Sequence, residues 1–166
     1  MSAGNKKITN KESITTPSLG SEVDQEYLKS FYPKPTKDMK WIYTMSINIQ
    51  GINFQAELIM EIAEITNNNV KIRTKMGDQV VENVITLDSF APLPSHNQNN
   101  NATGFIYESY EDVNVPYGQF KDTVKLSTDS EEGRTYLWLS KEVGPVKFGI
   151  KSGGVPATLE LKEFIK

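Results

Sequence analysis

A single histidine, His96, follows Ser95 in an Asn-rich run, and a serine beside a histidine is where acyl-transfer chemistry would begin. The pair is a poor candidate. Nucleophile and base have to be held against each other by separate rigid elements, and neighbours in a polar loop are not preorganised. One histidine and no cysteine leave a zinc site to be built almost wholly from carboxylates, which zinc seldom uses. The absence of cysteine also excludes disulfides and thiol nucleophiles.

Carboxylates are the other chemical resource. Glu57, Glu61 and Glu64 fall in one segment, but two of them point outward from a strand whose other side is apolar, which reads as a solvated sheet face. Glu108, Glu111 and Asp112, with Asp129, Glu131 and Glu132, could form a calcium-binding rim if their oxygens converged. Asp129-Ser130-Glu131-Glu132-Gly133 lacks EF-hand spacing and reads better as a polar hairpin tip. Gly153-Gly154 joins two strands and opens no helix, so no phosphate loop is present. No cofactor and no enzymatic activity are expected.

Trp41, Tyr43, Met45, Phe54, Met60, Met76, Tyr136, Trp138 and Phe148 form a different kind of set, expected to share one inner face. One reading is a close-packed core, since protein interiors are filled. The functional reading is a cavity for an apolar or lipid-like ligand, because Met and aromatic side chains adapt to such guests. Its lining would be Trp41, Tyr43, Met45, Phe54, Met60, Trp138 and Phe148.

The elements that carry these residues are strands. Trp41, Tyr43, Met45, Ile47 and Ile49 alternate with period two, Gln50-Gly51-Ile52-Asn53 turns the chain, and Phe54 to Ile62 alternates again, which predicts a long hairpin. Asn67-Asn68-Asn69 is a second turn, Val70 to Met76 a third strand, and Val80 to Leu87 a fourth. The fourth is apolar on both faces, so it is expected to be buried on both sides or to border a cavity. Residues 88–103, with Pro92, Pro94 and the Asn-rich run, read as a long surface loop, in which Asn101-Ala102-Thr103 is a chance glycosylation match. Further strands are predicted over 105–113, 123–128, 134–139, 146–150 and 156–165, with a turn signal about every ten residues, as in a sandwich or barrel.

The 166 residues suffice for one domain, and a net charge of −3 with interspersed signs offers no basic face for nucleic acid. No apolar run is long enough to span a bilayer, and the first residues lack the apolar core of a signal peptide. Residues 1–28 read as a disordered polar tether and 29–166 as the domain, which Phe31-Tyr32-Pro33 enters as an extended segment packed at the sheet edge.

The C-terminal block resembles a group of uncharacterised bacterial secreted proteins and lipoproteins. Their pattern Val-Pro-Ala-Gly-Thr-Phe stands here as Val115, Pro116, Gly118 and Phe120. Tyr136 and Trp138, then Val143, Gly144, Val146 and Lys147, then Leu159-Glu160-Leu161 follow the rest. Phe31-Tyr32-Pro33 and Lys40-Trp41-Ile42-Tyr43 resemble that group's opening. The chain departs from the pattern at Tyr117, Gln119 and Glu142. The resemblance implies the half-barrel architecture of lipoprotein carriers, and Met1 standing in place of a lipid-modified cysteine ahead of a stalk at Ser2-Ala3-Gly4. The sequence as a whole predicts an all-β domain: an antiparallel meander of eight or nine strands closing fully or partly into a barrel. Its expected role is a non-enzymatic, extracytoplasmic binding module, in the periplasm or at the cell surface, held to a membrane only through an N-terminal lipid. The alternative is an interaction subunit of an envelope assembly that meets a protein partner through an edge strand or the 88–103 loop.

Overall fold

The structure, a computed structural model, describes residues 17–95, 100–131, 133–152 and 155–166. Nine strands make one antiparallel sheet: β1 (Lys40–Ile49), β2 (Ile52–Thr66), β3 (Asn69–Met76), β4 (Gln79–Thr86), β5 (Ile106–Val115), β6 (Gly118–Ser130), β7 (Gly133–Ser140), β8 (Gly144–Ser152) and β9 (Val155–Ile165). Their order is β4-β3-β2-β1-β9-β8-β7-β6-β5, so two meanders meet along β1 and β9 and the sheet stays open. This is the antiparallel meander expected, with nine strands and the sheet not closed. The β1–β2 turn is shorter than expected: Gln50 and Gly51 alone make it, with φ of 52° and 84°, the paired left-handed angles of a two-residue hairpin. Register shifts at Ile42/Tyr43, Ile62/Glu64, Tyr107/Ser109, Glu111/Val113 and Trp138/Leu139 are bulges, which sharpen twist and bend the sheet.

β4 and β5 are the two edges of the sheet yet consecutive in the chain, and the described residues of the segment joining them pack into the core inside the sheet. The described residues of 88–103 are therefore not the surface loop expected. Phe90, Ala91, Leu93, Asn100 and Ala102 are buried, and Pro92 bridges Asn101. Pro and Asn make this stretch look exposed because composition is blind to a connection forced through the interior. His96 lies outside the described residues.

The N-terminal side also differs. Of the expected tether, residues 1–16 lie outside the described residues, whereas Val23, Tyr27 and Leu28 are buried in the core. Gly20 and Val23 donate backbone hydrogen bonds to Tyr107 and Phe105 along the outer side of β5. A short helix, α1 (Gln25–Lys29), follows, capped by Asp24, whose Oδ1 accepts the Tyr27 N–H at 2.9 Å. It buries Tyr27 and Leu28 on the sheet, and Phe31 and Tyr32 continue that contact inside the concave face rather than at the sheet edge. β4 also departs from expectation: it is an edge strand, with Val80 51% and Val84 62% exposed.

Candidate functional site: the open end of the concave face

Paired residues on antiparallel strands share a face, so the register divides the concave surface into rows. The deepest row runs Val81–Thr74–Met60–Trp41–Phe164, and the next Met76–Leu58–Tyr43–Leu161. A third runs Ala56–Met45–Leu159–Phe148–Leu137–Leu126–Tyr107, and the outermost Phe54–Ile47–Ala157–Ile150.

The deep rows are covered by α1, by Phe31, Tyr32 and Met39 after it, and by Phe90, Ala91, Leu93, Ala102 and Phe105 between β4 and β5. Trp41, Tyr43 and Met60 are wholly buried and Phe148 nearly so. Trp41 donates its indole N–H to the Val143 carbonyl at 2.7 Å, and Tyr43 donates its hydroxyl to the Pro145 carbonyl at 2.6 Å. The bonds reach from β1 across β9 to the turn before β8 and to its second residue, and so hold the curl of the sheet. Tyr32 lies against them and donates to the Pro92 carbonyl at 2.8 Å. Burial pushes the Tyr32 and Tyr43 phenols well above their ordinary value, and for Tyr43 the neighbouring Tyr32 phenol adds to the rise. Gly144 is required here: its φ is +96°, and a Cβ would come 2.9 Å from the Tyr32 ring. Thr74 Oγ1 is buried on the same inner face without a hydrogen-bond partner.

Burial then falls along the strands toward the β1–β2 and β3–β4 turns. On β2, Met60 and Leu58 are buried, Ala56 is exposed and Phe54 is 52% exposed. On β1, Met45 and Ile47 are half-buried and Ile49 is exposed, with Ile52 opposite it at 59%. Met76 and Ile150 are half-buried. The apolar rows thus continue beyond the part of the face that the described residues cover.

Of the residues expected to line a cavity, Met45 and Phe54 lie on these outer rows, while Trp41, Tyr43, Met60 and Phe148 are inside the packed part. Trp138 does not share the inner face. It is paired with Lys125 and Lys147, on the opposite side of β7 from the buried Leu137 and Leu139. Tyr136, two residues away, shares that outer face. Tyr136-Leu137-Trp138-Leu139 is apolar at both parities, so alternation alone does not choose a side. There the Lys125 and Lys147 ammonium groups stand 5.4 and 5.1 Å from the Trp138 ring centre, and Glu111 accepts its indole N–H at 2.8 Å. The ring also lies near Gly149, covering bare backbone as aromatic residues do beside strand glycines. Sequence reasoning passed over Ile47 and Ile150 as lining; the shared parity of Ile47 with Met45 was the available signal.

Of the carboxylates considered as a calcium rim, Glu132 lies outside the described residues, and four others have partners. Asp112 accepts the Asp122 N–H. Glu108 accepts from Ser127 and Arg134, Asp129 pairs with Arg134 at 2.9 Å, and Glu111 holds Trp138. The Arg134 guanidinium holds the Asp129 carboxyl below its ordinary range. Among the described residues no cluster of three or more His, Cys, Asp or Glu is placed to hold a metal ion, and no helix is long and apolar enough to cross a membrane.

No family model matches the chain, and no curated protein matches it. Two crystal structures are similar to it in fold. One is a protein from Parabacteroides distasonis provisionally described as a lipoprotein, with a TM-score of 0.51 and 13% identity, covering 82% of this chain and 98% of the other. The second is a protein from Bacteroides fragilis provisionally described as exported and as having a YmcC-like fold, with a TM-score of 0.49 and 11% identity, covering 82% and 99%. Identity this low speaks to fold, not to activity.

Proposed function

We propose that this chain is a non-enzymatic, exported binding module, tethered at its N-terminus, whose half-barrel takes an apolar, lipid-like ligand at the open end of the concave face. One observation carries the reading: the apolar rows run past the sealed core to Met45, Ile47, Phe54 and Ile150, and Phe54 keeps 52% of its surface exposed. A sheet face that served only as core would be expected to end its apolar pattern where its cover ends. The half-buried methionines Met45 and Met76 border this end, and flexible thioethers suit a guest of variable shape. Export and tethering rest on the motif resemblance and on the description of the Parabacteroides neighbour.

Native mass spectrometry of the purified chain, with organic extraction of what accompanies it, tests this. A stoichiometric apolar adduct that is lost in Phe54→Ala and Met45→Ala but kept in Trp138→Ala supports the proposal. An adduct-free chain that also takes up no fluorescent fatty acid or phospholipid refutes it. Trp41→Ala is unsuitable, because the buried indole ties β1 to Val143 and its loss tests folding.

A further inference from the structure

The two edges of the sheet are treated differently. Along β5, Gly20 and Val23 donate to Tyr107 and Phe105, Tyr107 donates back to Ser21, and Glu22 bridges Ile106, so chain already occupies that edge. Along β4 no strand or bridge of the described residues takes the corresponding place. Natural edge strands are usually guarded by charge, proline or bulges. β4 has a regular register with β3 and presents Val80 and Val84 on its exposed face, with a single charge, Glu82, between them.

The backbone of β4 shows what this edge offers. A two-residue turn, Gly77-Asp78, closes the β3–β4 hairpin, so its flanking pair Met76↔Gln79 is mutually hydrogen-bonded. Pairs then alternate, making Thr74↔Val81, Ile72↔Asn83 and Val70↔Ile85 the other bonded pairs. The N–H and C=O groups of Val80, Glu82 and Val84 consequently point away from β3.

This arrangement complements itself. We infer that β4 is the interface between two copies of this chain, joined as antiparallel strands about a two-fold axis at Glu82. In that register Glu82 faces Glu82 of the second copy, and Val80 of each copy faces Val84 of the other. All of these are outward-bonding positions, so about six backbone hydrogen bonds form without disturbing the β3 ladder. The exposed valines meet each other instead of water. The facing glutamates are like charges set opposite each other. They are offset in part because each is paired with Arg73 of its own copy at 2.9 Å, so the line across the axis runs Arg–Glu–Glu–Arg and sums to zero. Shifting the centre by one residue would place Val84 against Glu82 and lose both valine contacts. A single-strand seam is small, so the dimer is weak and concentration-dependent.

Sedimentation velocity of the full chain over a wide concentration range reads the association. Single-cysteine variants read the register, cleanly because these 166 residues include no cysteine. Glu82→Cys places two thiols opposite each other at the axis and forms a disulfide-linked dimer on mild oxidation. Gln79→Cys, at the turn and off the axis, cross-links far more slowly. Val84→Lys removes both valine pairs at once and weakens association by about tenfold, with an unchanged circular dichroism spectrum showing that the fold persists. A chain that stays monomeric at every concentration overturns the inference and leaves the edge to a strand from another protein. So does cross-linking no faster at position 82 than at 79, or a dimer insensitive to Val84→Lys.

Discussion

Tyr43→Phe isolates the contact that holds the curl of the sheet. The ring keeps its place in the core, and what is lost is one hydrogen bond of 2.6 Å from β1 to the Pro145 carbonyl at the start of β8. Tyr43 and Pro145 are both buried, so the carbonyl is left without this donor and water does not readily replace it. Removing one partner of a buried neutral hydrogen bond costs about 1–3 kcal/mol. With a urea m-value of about 2 kcal/mol/M, the midpoint falls by about 0.5–1.5 M with m unchanged. The pH dependence supplies a second reading. Burial holds the Tyr32 and Tyr43 phenols well above their ordinary value in the folded chain, whereas in the unfolded chain they ionise near pH ~10. Below that pH their contribution is fully present. Above it the unfolded state releases protons that the folded state retains, and stability falls by about 1.4 kcal/mol per pH unit for each phenol. Tyr43→Phe removes one such group, so the wild-type and variant stabilities converge as pH rises past 10. A neutral-pH loss below about 0.3 kcal/mol, or parallel curves above pH ~10, would refute the reasoning.

Three further outcomes follow from single contacts. Gly144→Ala combines a left-handed backbone angle with a Cβ 2.9 Å from the Tyr32 ring, and should lower stability by about 2–4 kcal/mol in urea unfolding; a loss near zero would mean that Tyr32 can withdraw. Thr74→Val removes a buried hydroxyl without a partner and should raise stability by about 1 kcal/mol; a loss instead would show that the hydroxyl is bonded in solution. Arg134→Gln should return the Asp129 carboxyl toward its ordinary range in an NMR titration, and an unmoved titration would discard the ion pair as its cause.

Much of the sheet was legible because its pattern is local. From Trp41 to Ile62 one parity is apolar, and the register pairs those same residues across the hairpin. Legibility stops where both parities are apolar. Trp138 was assigned to the wrong face for that reason, and only its partners, Lys125 and Lys147, reveal the side on which it stands. β4 looked buried for the same reason and is an edge. The described part of 88–103 does not show its burial in its own composition, because that burial goes with β4 and β5 standing at opposite edges, which no window of sequence contains. α1 did leave a local trace, with Asp24 as cap and Tyr27, Leu28 and Phe31 at helical spacing, obscured by the polar residues before it. In the candidate site, Met45 and Phe54 were readable as inward-facing. How far the N-terminal segment covers that face depends on tertiary packing.

The junction of β1 with β9 has a consequence for how the domain comes to be made. Its first and last strands are neighbours at the centre of the sheet, so the central seam is the contact of greatest sequence separation. Folds dominated by such pairings assemble slowly. During synthesis each meander can zip locally, but until Val155–Ile165 emerges, β1 and β8 each carry a bare edge where the finished sheet has its middle. A chain truncated before Val155 is therefore not a domain short of one strand: it is two half-sheets with the strand that joins them missing.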